Sequence, residues 1–124
     1  MKVKIDTKEM FHVMSIEETE ISANMSAELM EIIQKTQEED CKSIILNFHH
    51  VQQTNADLVS ALEQIHQMQY GQKKSFVICE LSATVKNQLK LNEDSAVLHT
   101  TPTESEAWDI VQMEEIEREL GLED

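Results

Sequence analysis

Residues 42–62 read KSIILNFHHVQQTNADLVSAL, and this stretch decides the fold. Ile44, Ile45, Leu46 and Phe48 crowd apolar side chains onto near-consecutive positions, as in a central strand covered on both faces. A short polar loop follows and opens straight onto a helix whose buried side is Leu58, Ala61, Leu62 and Ile65. Asn55 is a natural N-cap for that helix, with Asp57 in its first turn facing the positive end of the dipole. Gly71 closes it as the first residue past the end, where left-handed backbone favors glycine.

Upstream, Val3 and Ile5 alternate with Lys2, Lys4 and Asp6, and Phe11, Val13, Met14 and Ile16 form a second short strand beyond a polar turn at Asp6–Glu9. Ser22 or Asn24 can cap a helix that buries Met25, Leu29, Ile32 and Ile33 and ends in the Glu38–Asp40 run. Downstream, Ser75–Leu81 is a second buried strand. Ser82 then caps a short helix with apolar positions Val85, Leu89 and Leu91. Ala96–Leu98 is a short strand closed by Pro102, and Thr103 with Glu106 three residues on is a capping box for the last helix. The order is strand, strand, helix, then strand and helix three times. Such alternation calls for parallel pairing and right-handed crossovers.

The chain has 124 residues, enough for one domain over 1–124 that buries a core without staples. Its net charge of −14 argues against phosphate backbones and anionic membranes as partners. The acids gather at Glu17–Glu20, Glu38–Asp40 and Glu114–Asp124, which leaves solubility or a basic protein partner as their role. No apolar run approaches the ~20 residues of a membrane helix, and no signal peptide precedes the first strand, so a cytoplasmic location is expected. Cys41 and Cys79 fit a reducing compartment, with Cys79 packed as a small hydrophobe and Cys41 exposed. There is no CxxC pair, no zinc spacing, no P-loop and no nucleophile elbow. No cofactor, metal or catalysis is expected. Glu63 and His66 make only one copy of an E-x-x-H half-motif that works in pairs. His49 and His50 are read as surface-loop residues that point to opposite sides.

Strand 43–48, the loop 52–58, the later run Phe76–Lys86 and the helix opening Thr103–Ala107 together resemble the STAS domain of sulfate transporters and anti-sigma factor antagonists. The resemblance spans nearly the whole chain. It implies an α/β fold with a mixed sheet of about five strands flanked by about four helices, in a bacterial signaling protein that regulates transcription through protein contacts. In the antagonists a strand of the type IVLNL leads to Asp-Ser-(Ser/Thr)-Gly-Leu, whose first serine takes a regulatory phosphate. Here those positions are Thr54, Asn55, Ala56, Asp57 and Leu58. Asn55 has no hydroxyl to phosphorylate and keeps a small neutral polar group, so docking survives and the off-switch is lost.

The resemblance therefore implies a partner-binding surface at Gln53, Thr54, Asn55, Ala56 and Asp57, with a GHKL-type anti-sigma factor kinase as the partner. A displaced phosphoacceptor at Thr54 is the competing reading, and a STAS accessory subunit of a transporter or scaffold is the alternative function. The last helix adds a second surface. Ala107, Ile110 and Val111 share one face, while Met113, Ile116 and Leu120 fall opposite, in a helix that extends through 112–121. That second stripe suits a homodimer or partner contact, with Glu114, Glu115, Glu117 and Glu119 solvating the rest; the alternative is a kink that tucks both stripes in.

Overall fold

The computed structural model describes residues 1–90 and 98–121. Its strands are β1 (Val3–Thr7), β2 (Phe11–Ile16), β3 (Ser43–Asn47), β4 (Phe76–Cys79) and β5 (His99–Thr101). Its helices are α1 (Met25–Glu39), α2 (Leu58–Gly71), α3 (Ala83–Gln88) and α4 (Glu104–Glu119). The strands form one sheet in sequential order, β1-β2-β3-β4-β5. β1 runs antiparallel to β2, and every later pair is parallel. This is the mixed α/β architecture that the element order predicts.

Sequential order fixes where the helices go. Right-handed crossovers that always step the same way along a sheet place their helices on one face. Leu29 and Ile33 of α1, Leu58, Leu62 and Ile65 of α2, and Val85 of α3 accordingly pack on Met14, Ile44, Leu46, Phe76 and Ile78. α4 follows the last strand with no crossover to complete, and it covers the other face. Ala107 and Val111 sit there against Phe11, Val13, Ile45, Val77 and Cys79. The consecutive apolar residues of β3 thus divide between two cores, Ile44 and Leu46 to one and Ile45 to the other. No described helix is long and apolar enough to cross a membrane.

Ser82 and Thr103 hold the N-cap positions of α3 and α4, and of the expected capping box the Thr103 half is formed. The Ser82 hydroxyl accepts from Val85 N–H at 3.1 Å, and the Thr103 hydroxyl accepts from Glu106 N–H at 3.3 Å. α1 differs in detail: Asn24 takes the cap position without a side-chain bond, and only Leu29 and Ile33 are fully buried, Met25 and Ile32 halfway.

Two local expectations are corrected, and a third falls mostly outside the described residues. Gly71 is the last residue inside α2, and the left-handed position is Lys73, at φ 60°. There Lys73 N–H donates to Tyr70 O at 3.1 Å and Lys74 N–H to Gln69 O at 2.8 Å, the paired bonds of a Schellman ending. Asn55 does not cap α2 directly. Asp57 holds the cap position with helical backbone, and a preceding turn places Asn55 two residues earlier. The last described strand is His99–Thr101, just after the expected Ala96–Leu98. Leu98 is buried just before it, while Leu91, Ala96 and Val97 lie outside the described residues.

Candidate functional site

β3 ends at Asn47, and the chain crosses the carboxyl ends of the strands before entering α2. Phe48 and Val51 anchor this crossing in the core, with Val51 N–H donating to Phe48 O at 3.0 Å across a tight turn. His49 and His50 occupy the exposed tip of that turn. They lie beyond the strand, so strand alternation does not govern them, and their rings stand together with centroids 5.0 Å apart. Among the described residues no group of three His, Cys, Asp or Glu side chains could hold a metal ion.

From Gln52 onward the loop is tied on both sides. Gln52 and Gln53 donate their N–H groups to Thr19 O at 2.8 and 3.1 Å, and Ile21 N–H donates to Gln53 O at 2.9 Å. The lead-in to α1 therefore runs alongside the loop, with Glu20 and Gln53 forming an isolated parallel bridge. On the other side Gln88, at the end of α3, accepts from Thr54 N–H at 2.7 Å.

Asn55 closes the arrangement. Its amide nitrogen donates to Ile21 O at 3.0 Å, and its amide oxygen accepts from Asp57 N–H at 3.0 Å. A carbonyl can only accept and an N–H can only donate, so these partners fix which end of the amide is which. Asn55 is half-buried and used at both ends. It works as a clip between the approach to α1 and the start of α2, not as a free docking group.

What remains open to a partner is Gln52, Gln53, Ala56 and Asp57, all exposed, with Thr54 and Asn55 half-buried beneath them. The Thr54 hydroxyl oxygen is buried. Ser60, one turn into α2, is the exposed hydroxyl beside the loop. Glu20 and Asp57 give the ledge negative charge, and a hollow of about 240 Å³ lined by Glu17, Glu18, Thr19 and His50 opens next to it. The ledge offers a set of donors and acceptors tied in place by backbone bonds, and two carboxylates, Glu20 and Asp57. It has no nucleophile held by a base.

The clamping residues Thr19, Ile21 and Gln88 are not legible as site residues in the sequence, because each acts from about 34 positions away through backbone atoms or one long side chain.

A second polar cluster, also invisible in the sequence, lies at the opposite end of the sheet. Ser43 and Ser75, fully buried at the starts of β3 and β4, meet the C-terminal half of α4. Ser43 donates to Glu115 at 2.6 Å, Ser75 and Tyr70 both donate to Glu114, and Arg118 reaches Ser75 at 2.9 Å and Glu115 at 3.0 Å. Glu114 and Glu115 therefore do not solvate the surface of α4 as the sequence suggests; they turn inward as ligands of buried hydroxyls. Burial and the neighboring Glu114 raise the Tyr70 phenol well above its ordinary value. Burial, with His99 adding to it, lowers the His66 imidazole, and Glu114 opposes that shift.

With Glu114, Glu115 and Arg118 inward, Met113, Ile116 and Leu120 point to solvent, at 61%, 50% and 66% exposure. α4 runs through without tucking this stripe in. At its other end Glu104 accepts from Asn47 and from the Trp108 indole, at 3.0 and 3.2 Å. Burial, with Glu104 and Glu80 close by, pushes the Cys79 thiol up to about 12, so it stays a neutral packing residue.

No family model matches this chain, and no curated protein matches it by sequence. Solved structures do match it. The anti-sigma factor antagonist SpoIIAA in its unphosphorylated form superposes with a TM-score of 0.72 at 15% identity, over 90% of this chain and 97% of that one. An anti-sigma-factor antagonist (STAS) domain protein from Planctomyces limnophilus gives 0.72 at 11% identity, over 89% and 97%. A murine Solute Carrier 26 anion transporter gives 0.67 at 17% identity, over 83% of this chain and 18% of the transporter. The chain has the STAS fold.

Proposed function

We propose that this protein is a non-enzymatic binding module that works like an anti-sigma factor antagonist in the cytoplasm of a bacterium. It docks on a kinase-type anti-sigma factor of the GHKL class, or a related regulator, through the Gln52–Asp57 ledge, and it does so without a phosphorylation switch at position 55. One observation carries the reading: Asn55, which the sequence resemblance assigns to the phosphoacceptor position, is locked by both ends of its amide to Ile21 and Asp57. A phosphate placed there in an antagonist adds about −1.5 to −2 charges and opposes docking. An amide cannot accept one, so the ledge stays in its binding form.

The transporter match supports a second reading, in which the module is an accessory subunit of a membrane complex and the same ledge meets a transporter component.

Intact-mass spectrometry of the protein purified from its own cells tests the absence of the switch. The expected result is an unmodified chain. A stoichiometric gain of about 80 Da, one phosphoryl group, mapped to Ser60 or Thr54 would show that the switch has moved.

A further inference from the structure

One helix cannot cover one face of a five-stranded sheet. α4 packs on β3, β4 and β5. Toward β2 its cover ends at Trp108, whose ring meets Phe11 edge-on with centroids 5.0 Å apart. Beyond this pair lies a groove of about 320 Å³, with Met10, Phe11, Trp108 and Ile116 among its walls. Ile116 belongs both to the groove and to the exposed stripe, so the two make one continuous apolar track with Met113 and Leu120. The inward bonds of Glu114, Glu115 and Arg118 hold α4 against rotation, which keeps that track facing out.

Charge identifies the occupant. At ~100° per residue, Asp109 falls within the stripe, and Glu106, Glu117 and Glu119 flank it. All four carboxylates are exposed, as is Glu9 at the groove. Lys8 is the cation of the groove, and its ammonium lies 5.6 Å over the Trp108 ring. A second copy would bring the same acids against each other in a chain of net charge −14. We infer that the groove and the Met113–Ile116–Leu120 stripe receive a basic amphipathic helix of a partner protein, its apolar face on the track and its Lys or Arg residues against the rim. The surface is separate from the ledge. The ledge lies at the carboxyl ends of the strands beside α1–α3, and the groove lies at the start of β2 on the face of α4.

Trp108 is the one tryptophan in the chain and reports directly on the groove. The probe is a synthetic helical peptide of about 14 residues, close to four turns, with Leu at i, i+3, i+7 and i+10 and Lys at the flanking positions. Two controls replace its Lys by Glu, or keep the Lys and scatter the Leu around the helix. Saturable change in Trp108 fluorescence is expected with the probe, at least tenfold weaker with either control, and at least tenfold weaker in Ile116→Ser and in Leu120→Ser. Gln53→Arg should bind the probe like the parent, which separates this surface from the ledge. Equal binding of the Lys and Glu peptides, or no saturable change, overturns the inference. So does sedimentation of the protein alone as a dimer that Ile116→Ser dissolves, because the occupant is then a second copy.

Discussion

Asn55→Asp is the substitution that imitates added charge at the proposed phosphoacceptor position, and the structure predicts that it acts first on stability. The carboxylate keeps an acceptor for Asp57 N–H but has no donor for Ile21 O, and it sets an anionic oxygen where a 3.0 Å hydrogen bond to that carbonyl stood. Losing the bond costs about 0.5–1.5 kcal/mol, and facing two acceptors in a half-buried site raises the total to about 1–3 kcal/mol. An unfolding entropy of about 2.1 cal/mol/K per residue gives about 0.26 kcal/mol/K for 124 residues. The midpoint should therefore fall by about 4–12 °C. Calorimetric melts at neutral pH read this directly, with Asp57→Asn as control. The Asp57 side chain makes no cap bond, so that exchange should stay within about 0.5 kcal/mol of the parent. An Asn55→Asp protein as stable as the parent would refute the clip. Any affinity measured on the variant has to be read beside this loss of stability.

Two further outcomes follow from the cluster under α4. Arg118→Met removes the cation shared by Ser75 and Glu115 and leaves two partly buried carboxylates; allowing for their partial exposure, a loss of about 2–4 kcal/mol is expected in urea unfolding, and a neutral result would show the cluster to be incidental. For pH, the raised Tyr70 phenol favors the fold in its neutral form, so that contribution is present below about pH 10 and is lost as pH rises above it. The lowered His66 imidazole also favors the fold when neutral, so its contribution is present above about pH 6.5 and is lost as pH falls below it. Urea midpoints across this range should form a plateau with two falling limbs, the alkaline one reduced in Tyr70→Phe.

The sheet and its helices were legible because the period of the apolar residues changes between segments. Consecutive Ile44, Ile45 and Leu46, a short run rich in β-branched residues and bounded by polar ones, fit a strand with a core on each face, and Thr103 with Glu106 marks a helix start by chemistry that needs no tertiary contact. The endings were less legible. Gly71 looks like a terminator, yet the chain turns at Lys73, because the site of the left-handed residue depends on how α2 meets the start of β4. In the candidate site, that position 55 carries an amide and no hydroxyl could be read directly. The engagement of both ends of the Asn55 amide could not, since Ile21 and Gln88 lie far along the chain. Glu114 and Glu115 misled for a related reason. Acidic residues near a terminus look solvated, and their inward partners Ser43 and Ser75 carry no local signal of being buried.

Docking without a phosphorylation switch is tested most directly by calorimetric titration of a kinase-type anti-sigma factor from the same genome, with and without Mg-ATP. Binding is predicted to be equal in both conditions. Gln53→Arg and Asp57→Arg, on the exposed ledge, should weaken it by at least 2 kcal/mol, about 30-fold, with the thermal midpoint unchanged in Gln53→Arg and stability lowered by only about 0.3–1 kcal/mol in Asp57→Arg, which places a cation at the N-terminus of α2. Binding that disappears on adding Mg-ATP, or ledge variants that bind as well as the parent, would contradict the account.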